Sequence, residues 1–107
     1  MGIKVEFRGR VERGANVATA ENGVRYAYIP VRVAVSDKGD ESVFNLFVKD
    51  TGDNTFGSVV VSLKKGDIVH VSGELFIRND RVDESDRKVS KMYLDVFVGM
   101  IKLALAV

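Results

Sequence analysis

The segment Leu63–Arg78 reads LKKGDIVHVSGELFIR, and its alternation of apolar and polar residues decides how the rest of the chain is interpreted. A period of two residues is typical of a strand with one buried face, because successive side chains point to opposite faces. Gly73 falls on the apolar face, where a missing side chain permits a sharp bend. Phe76 falls on the polar face between Glu74 and Arg78. A large aromatic side chain on the solvent side of a strand suggests a binding surface.

The composition limits the class of protein. The 107 residues suffice for one hydrophobic core, so we expect residues 1–107 to form a single domain. The chain has no cysteine, which excludes a disulfide framework and a thiolate ligand or nucleophile. It has neither a membrane-spanning apolar run nor a signal-peptide pattern, so we expect a protein that stays inside the cell. The net charge is +1, but residues 36–87 are acidic and both flanks are basic.

Four other segments show strand patterns. Ile3–Val11 and Val24–Val35 alternate clearly, and Val43–Lys49 and Val89–Val98 complete the set of strands. Pro30 lies inside the second of these segments and cannot donate a ladder hydrogen bond. It therefore marks an edge, a bulge or a switch between sheets.

The connecting segments have their own signatures. Asn22-Gly23 predicts a two-residue hairpin turn of type I′, and an apolar stripe over 56–63 predicts a short helix. The polar segment Asn79–Lys88 predicts a protruding, mobile hairpin loop, and the apolar tail Met100–Val107 is expected to pack on the barrel or on a second copy of the chain. Together the elements predict an all-β, five-stranded OB-fold Greek-key barrel, with a short helix between the third and fourth strands. Other small barrels also fit the periodicity.

The segment Leu63–Arg78 resembles the region leading into strand four of bacterial and phage single-stranded DNA-binding proteins. Gly9-Arg10-Val11 is similar to the end of that family's first strand, and Asn22-Gly23 lies where the turn between strands one and two often carries a glycine. The resemblance implies an OB-fold and binding of single-stranded DNA. The matching positions of strand four are Leu63, Lys64, Lys65, Gly66, Asp67, Val69, Val71, Gly73, Leu75 and Arg78.

The chain also departs from this family. It has no tryptophan and lacks the acidic tail of the cellular members, which favours a minimal, phage-type protein. The resemblance implies a location in the cytoplasm of a bacterial cell or of a phage-infected host. By position in the family Phe44 could be a stacking residue of strand three, whereas the alternation favours Phe47 as the outward residue. The chain is also similar to primosomal replication protein N, through its short length and Ser90-Lys91-Met92.

Four predicted strands carry an aromatic residue beside a cation on the outward face. Aromatic rings stack on bases, and lysine and arginine neutralise phosphates. Tyr93 and Phe97 lie close to the apolar tail, which favours a packing role for them. The predicted nucleic-acid-binding residues are Arg8, Arg10, Tyr26, Tyr28, Arg32, Phe47, Lys49, His70, Phe76, Arg78 and Tyr93.

No catalytic or cofactor motif is present in the sequence. There is no P-loop, nucleophile elbow or histidine–carboxylate constellation, and His70 is the only histidine. The acidic residues Asp80, Asp83, Glu84 and Asp86 lack EF-hand spacing, so we expect a solvated loop and no metal. We therefore expect a non-enzymatic protein without cofactor, membrane contact or small-molecule substrate.

The function that these patterns favour is coating and protecting single-stranded DNA during replication, recombination or repair, with RNA as a possible second ligand. We expect the protein to form a homo-oligomer, either a dimer or a tetramer. One alternative is an accessory factor similar to primosomal replication protein N. The other is an OB-fold protein-interaction module without a nucleic-acid role, which the acidic middle of the chain supports.

Overall fold

Alternating apolar residues fold into six strands in the computed structural model, which describes residues 2–52, 54–84 and 87–104. Helix α1 (Asn54–Ser58) and a 3₁₀ turn (Val60–Ser62) lie between the fourth and fifth of these strands. The predicted all-β class and the short helix are thereby confirmed. The strands are β1 (Ile3–Val11), β2 (Asn16–Thr19), β3 (Arg25–Ala34), β4 (Glu41–Lys49), β5 (Ile68–Glu84) and β6 (Arg87–Leu103).

The strands form one curled sheet in the order β1-β5-β6-β4-β3-β2. A short antiparallel pairing of Val11 with Val31 joins β1 to β3 and closes the sheet into a barrel. The pairing of β4 with β6 is parallel, with Phe44 opposite Leu94, whereas the other neighbours run antiparallel. This arrangement matches the OB-fold predicted from the sequence.

The core is built from the inward-facing residues of the strands and from the helical segment. Ile29, Val31 and Val69 are fully buried, as their alternation predicts. Phe56 and Val60 come from the helical segment and are 4% and 0% exposed, so this segment closes one side of the barrel interior. No helix of the described ranges is long and apolar enough to span a membrane.

Pro30 lies where β3 changes its partner. Before it, β3 pairs with β2 as far as Tyr28; after it, β3 pairs with β1 from Val31 onward. The carbonyl of Pro30 accepts a hydrogen bond from the backbone of Glu12, which leads out of β1. The absent N–H therefore falls at a junction where no ladder bond is required, which is one of the positions that the sequence allowed.

Strand β2 was not predicted, because its residues show no apolar alternation and all four are exposed. It is an edge strand that pairs only with β3. The hairpin between these strands is also wider than the predicted two-residue turn. Ala20 accepts a hydrogen bond from the backbone of Gly23 and donates one to Val24, so the loop contains three residues, and Gly23 adopts φ 84°. This pattern is a type I turn followed by a left-handed glycine.

The segment Asn79–Lys88 is a hairpin, as predicted, but the prediction of a loop is wrong for most of its length. Strand β5 continues to Glu84 and β6 begins at Arg87, so the segment is an antiparallel ribbon, and residues 85–86 lie outside the described ranges. Backbone hydrogen bonds hold such a ribbon without apolar side chains.

The last strand extends beyond its predicted end at Val98. Ser72 pairs with Met100 and Gly73 pairs with Val98, so Gly99 is an extra residue that forms a β-bulge. The bulge reverses the alternation, and Ile101 therefore faces the core at 4% exposure. The tail as far as residue 104 is thus a part of the barrel, and residues 105–107 lie outside the description.

Candidate nucleic-acid interface

Four aromatic side chains form a continuous row across the outer face of the barrel. We call Tyr28, Phe47, Phe97 and Phe76 the aromatic row; they lie on β3, β4, β6 and β5. The ring centroids of Tyr28 and Phe47 are 5.5 Å apart, those of Phe47 and Phe97 5.7 Å, and those of Phe97 and Phe76 5.2 Å. Phe97 is 51% exposed, and the other three rings are partly exposed.

The strand register explains the row. Tyr28 lies opposite Phe47, and Phe47 lies opposite Phe97. Phe76 lies opposite Asp95, diagonal to Phe97. Neighbouring strands are about 4.8 Å apart, so aromatic side chains at opposite or diagonal positions of one face come into contact. The row therefore follows from the pairing of four strands at one level of the barrel.

Phe47, and not Phe44, is the outward aromatic residue of β4. Phe44 is 8% exposed and packs edge-on against Phe7, with ring centroids 5.1 Å apart. The burial of Phe44 therefore agrees with the alternation of apolar residues, which placed Phe47 on the outward face, and not with the position expected from the family.

A buried polar network lies next to the aromatic row. The Tyr28 hydroxyl donates to Oδ1 of Asn45 at 2.9 Å, and Nδ2 of Asn45 donates to Oδ1 of Asp95 at 3.1 Å. Oδ2 of Asp95 accepts a hydrogen bond from Nε of Arg78 at 2.9 Å. Asn45 and Asp95 are each 8% exposed, so the network connects the two ends of the row through buried groups.

Arg78 and Tyr93 form a stacked pair beside the row. They lie opposite each other on β5 and β6, and the guanidinium carbon of Arg78 is 4.4 Å from the centroid of the Tyr93 ring. The same guanidinium is ion-paired with Asp95. Arg78 is thus held by a carboxylate and by an aromatic face at the same time.

Tyr26 and Lys49 lie opposite each other, two pairs beyond Tyr28 and Phe47 and therefore on the same face. Lys49 is exposed, and no carboxylate of the described residues pairs with it. At the Tyr28 end of the row, the guanidinium carbon of Arg13 lies 5.8 Å from the ring centroid of Tyr28. Cations therefore flank the row at this end.

Besides Arg78, two further predicted cations have acidic partners. Arg32 forms an ion pair with Glu12, and Arg10 lies 3.7 Å from Glu41. Both pairs are partly exposed, so each contributes little to stability and can exchange for a phosphate.

Arg8 and His70 lie apart from the aromatic row. They oppose each other on β1 and β5, and Nε2 of His70 is 2.7 Å from Oε1 of Glu6. His70 and Phe76 are six positions apart on β5, which corresponds to roughly 20 Å along a strand. The structure therefore does not bring these two predicted residues to the aromatic row.

A cleft adjoins Phe97 at the bulge, between β1, β5 and β6. Its volume is about 580 Å³, and its charged lining residues are Lys4, Glu6 and Glu74. Two carboxylates make this cleft a poor site for phosphate. No group of three or more metal-ligating side chains occurs among the residues that the structure describes.

The predicted site did not include Phe97, Asn45 or Asp95. Alternation places Phe97 on the outward face, but its closeness to the apolar tail favoured a packing role. The tail is now seen to be a barrel strand whose inward residue is Ile101. Asn45 and Asp95 come together only through the parallel pairing of β4 with β6, which no local pattern reveals.

No protein-family model matches the sequence, and no curated protein matches it. Solved structures do match. The small single-stranded DNA-binding protein of Streptomyces coelicolor is 23% identical, with a TM-score of 0.68 over 98% of this chain and 96% of that chain. The mitochondrial single-stranded DNA-binding protein Rim1 of S. cerevisiae is 16% identical, with a TM-score of 0.67 over 97% and 96%. The chain therefore has the OB-fold seen in single-stranded DNA-binding proteins.

Proposed function

We propose that this protein is a non-enzymatic, single-stranded DNA-binding protein that coats and protects the strand during replication, recombination or repair. The observation that carries the proposal is the aromatic row, four contacting rings on the outer face of an OB barrel. The similarity in fold to two single-stranded DNA-binding proteins supports it. RNA bases present similar faces for stacking, so we include single-stranded RNA in the proposal as a second ligand.

Stacking explains why a single strand is the preferred ligand. Bases of a single strand can separate and lay their faces on aromatic rings, each contact contributing roughly 1–3 kcal/mol. A duplex hides these faces inside its own stack. Arg13 and Lys49 flank one end of the row and supply phosphate contacts, which make the affinity depend on salt.

The test is fluorescence anisotropy with labelled single-stranded and duplex oligonucleotides of equal length over a salt series. The proposal expects tighter binding to the single strand at every salt concentration and weaker binding as salt rises. Equal affinity for the duplex, or no binding at low salt, would contradict it.

We further propose that the protein forms a homo-oligomer. The inward-facing side of the sheet extends past the closed barrel, and three apolar residues on this extension are exposed. They are Ile3 (59%), Ile77 (54%) and Met92 (64%). Exposed apolar residues on one sheet face support burial against another surface. Size-exclusion chromatography with light scattering should give a dimer or a tetramer, and Ile77→Lys should lower the mass. A monomer for the wild-type protein would contradict this proposal.

A protein-interaction module without a nucleic-acid role is the second candidate. The ion pairs of Arg10, Arg32 and Arg78 with carboxylates favour it, because these cations are partly neutralised within the chain. The anisotropy experiment separates the two functions, because an interaction module has no reason to prefer a single strand.

A further inference from the structure

Arg78 differs from the other cations near the aromatic row in how it is held. Its side chain is 48% exposed, whereas the side chain of its partner Asp95 is only 11% exposed. A carboxylate at this depth needs a partner, because an unpaired buried charge is strongly unfavourable. Movement of Arg78 toward a phosphate would leave Asp95 without this partner. Asp95 would also repel that phosphate.

The contact with Tyr93 indicates a role for Arg78 other than phosphate binding. A guanidinium is planar and stacks on aromatic rings and on bases, which the compact ammonium of lysine cannot do. With its Cζ atom 4.4 Å from the Tyr93 centroid, the guanidinium covers one face of that ring. The pair also lies next to Phe76, at the end of the aromatic row, since Phe76 and Arg78 share one face of β5.

Asn45 completes the arrangement. Its amide donates to Asp95 and accepts from Tyr28, so both polar atoms of this buried side chain are satisfied. Asp95 therefore has one oxygen held by Asn45 and the other on Arg78, which fixes its orientation. Buried networks of this kind position the groups at their ends.

We propose that Arg78, held over Tyr93 by Asp95, is a further stacking site for one nucleobase and not a phosphate contact, and that Asp95 and Asn45 are the residues that position it. This proposal rests on the proposed function. Single-stranded nucleic acid would then stack on the four rings of the aromatic row and continue onto the Arg78–Tyr93 pair.

Arg78→Lys is the first test, because it keeps the charge and removes the plane. Affinity for a single-stranded oligonucleotide is measured by anisotropy over a salt series. The proposal expects a loss of about fivefold or more, the lower end of what one stacked base contributes, with the salt slope unchanged. Wild-type affinity for Arg78→Lys would overturn the proposal. The proposal would also be overturned if Arg78→Ala made the plot of log affinity against log salt concentration less steep by about 0.7, because that change signals a lost phosphate contact.

Asp95→Ala is the second test. A phosphate-contacting Arg78 and a base-stacking Arg78 predict opposite changes in affinity for this variant. Removing a negative charge strengthens binding if Arg78 is a phosphate contact, whereas loss of the positioning carboxylate weakens binding if Arg78 is a stacking site. In a double-mutant cycle the losses for Asp95→Ala and Arg78→Ala should be less than additive. Tighter binding by Asp95→Ala, or fully additive losses, would overturn the proposal.

Controls separate this proposal from the proposed function. Lys49→Ala should reduce the steepness of the salt dependence by about 0.7, as expected for an exposed lysine that contacts a phosphate. Circular dichroism and thermal melting confirm that each variant is folded. If the wild-type protein does not bind a single strand, the proposed function fails and this inference fails with it. If the wild-type protein binds and Arg78→Lys binds equally well, only this inference fails.

Discussion

Phe97 is one of the two inner side chains of the aromatic row, and it is the most exposed of the four. It contacts both Phe47 and Phe76, and it is 51% exposed. Phe97→Ala divides the row into two parts and removes one stacking surface. We expect a loss of affinity for single-stranded DNA of about 5- to 150-fold, which corresponds to roughly 1–3 kcal/mol. Anisotropy measures the affinity, and thermal melting measures the stability.

Leu103→Ala is the matched control for this variant. Leu103 lies on the same strand, is 52% exposed and lies outside the row. Its affinity should equal that of the wild-type protein. A similar loss of affinity in both variants would show that general destabilisation, and not the missing ring, causes the effect.

For single residues of the site, the alternation of apolar and polar residues predicts only whether a side chain points outward or inward. The pattern placed Tyr28, Phe47 and Phe76 outward, and the structure brings these three together with Phe97. Alternation does not report which outward residues meet, because the strand register decides this. The pairing of Asn45 with Asp95 therefore could not be predicted, since it joins two residues that are 50 positions apart in sequence.

The bulge in β6 is the element that shapes the wall of the barrel beside the row. A Cβ atom at Gly73 would overlap the carbonyl oxygen of Phe97 and lie 3.1 Å from the Cα atom of Val98. Backbone atoms cannot move aside as flexible side chains do. We expect Gly73→Ala to lower the free energy of unfolding by about 3 kcal/mol, within the range for overpacking. Urea denaturation measures the change.

Gly57→Ala is the control for this substitution. Gly57 lies in α1, and a Cβ atom there meets nothing within 4 Å. Alanine should leave the stability unchanged or raise it by about 0.5–1 kcal/mol, because glycine is the weaker helix former. Equal effects at the two glycines would contradict the close approach at Gly73.

The end of β6 provides a second prediction at this scale. Ile101 is 4% exposed, in a segment that the sequence alone presents as an apolar tail. Ile101→Ala should lower the free energy of unfolding by about 2–4 kcal/mol, the usual range for a buried isoleucine. Met100→Ala, at 54% exposure, should change it by less than about 0.5 kcal/mol. Little effect at Ile101 would mean that the tail is not part of the barrel.

Elements were predictable where one face is buried. The strand in Leu63–Arg78 was predicted because Val69 and Val71 alternate with polar residues around them, and both are fully buried. The ribbon beyond Arg78 was not predicted, because its backbone pairing does not require an apolar face. Strand β2 was missed for the same reason, since all four of its residues are exposed.

At the scale of the whole molecule, binding and folding are linked. A ligand that binds only the folded barrel stabilises it by an amount set by its concentration, about 2.7 kcal/mol at 100 times the Kd. We therefore expect a single-stranded oligonucleotide to raise the Tm. A duplex of the same length at the same concentration should raise it less. Equal shifts for both ligands would contradict the preference for single strands.

The barrel topology could be anticipated from the strand count, the helical segment and the resemblance of Leu63–Arg78 to one family. The closure through Val11 and Val31, and the parallel pairing of β4 with β6, are long-range contacts that local patterns do not encode. The fold was therefore more predictable than the geometry of its outer face, where the function is proposed.

The central claim is that base stacking on the aromatic row, and not phosphate contact alone, drives binding. The most direct test compares a single-stranded oligonucleotide of about 12 nucleotides, within the site sizes of OB-folds, with an abasic strand that has the same number of phosphates. Anisotropy over a salt series gives the affinity and the salt slope of each. We predict that the abasic strand binds at least tenfold more weakly, with the same salt slope. Equal affinity for the two strands would contradict the account.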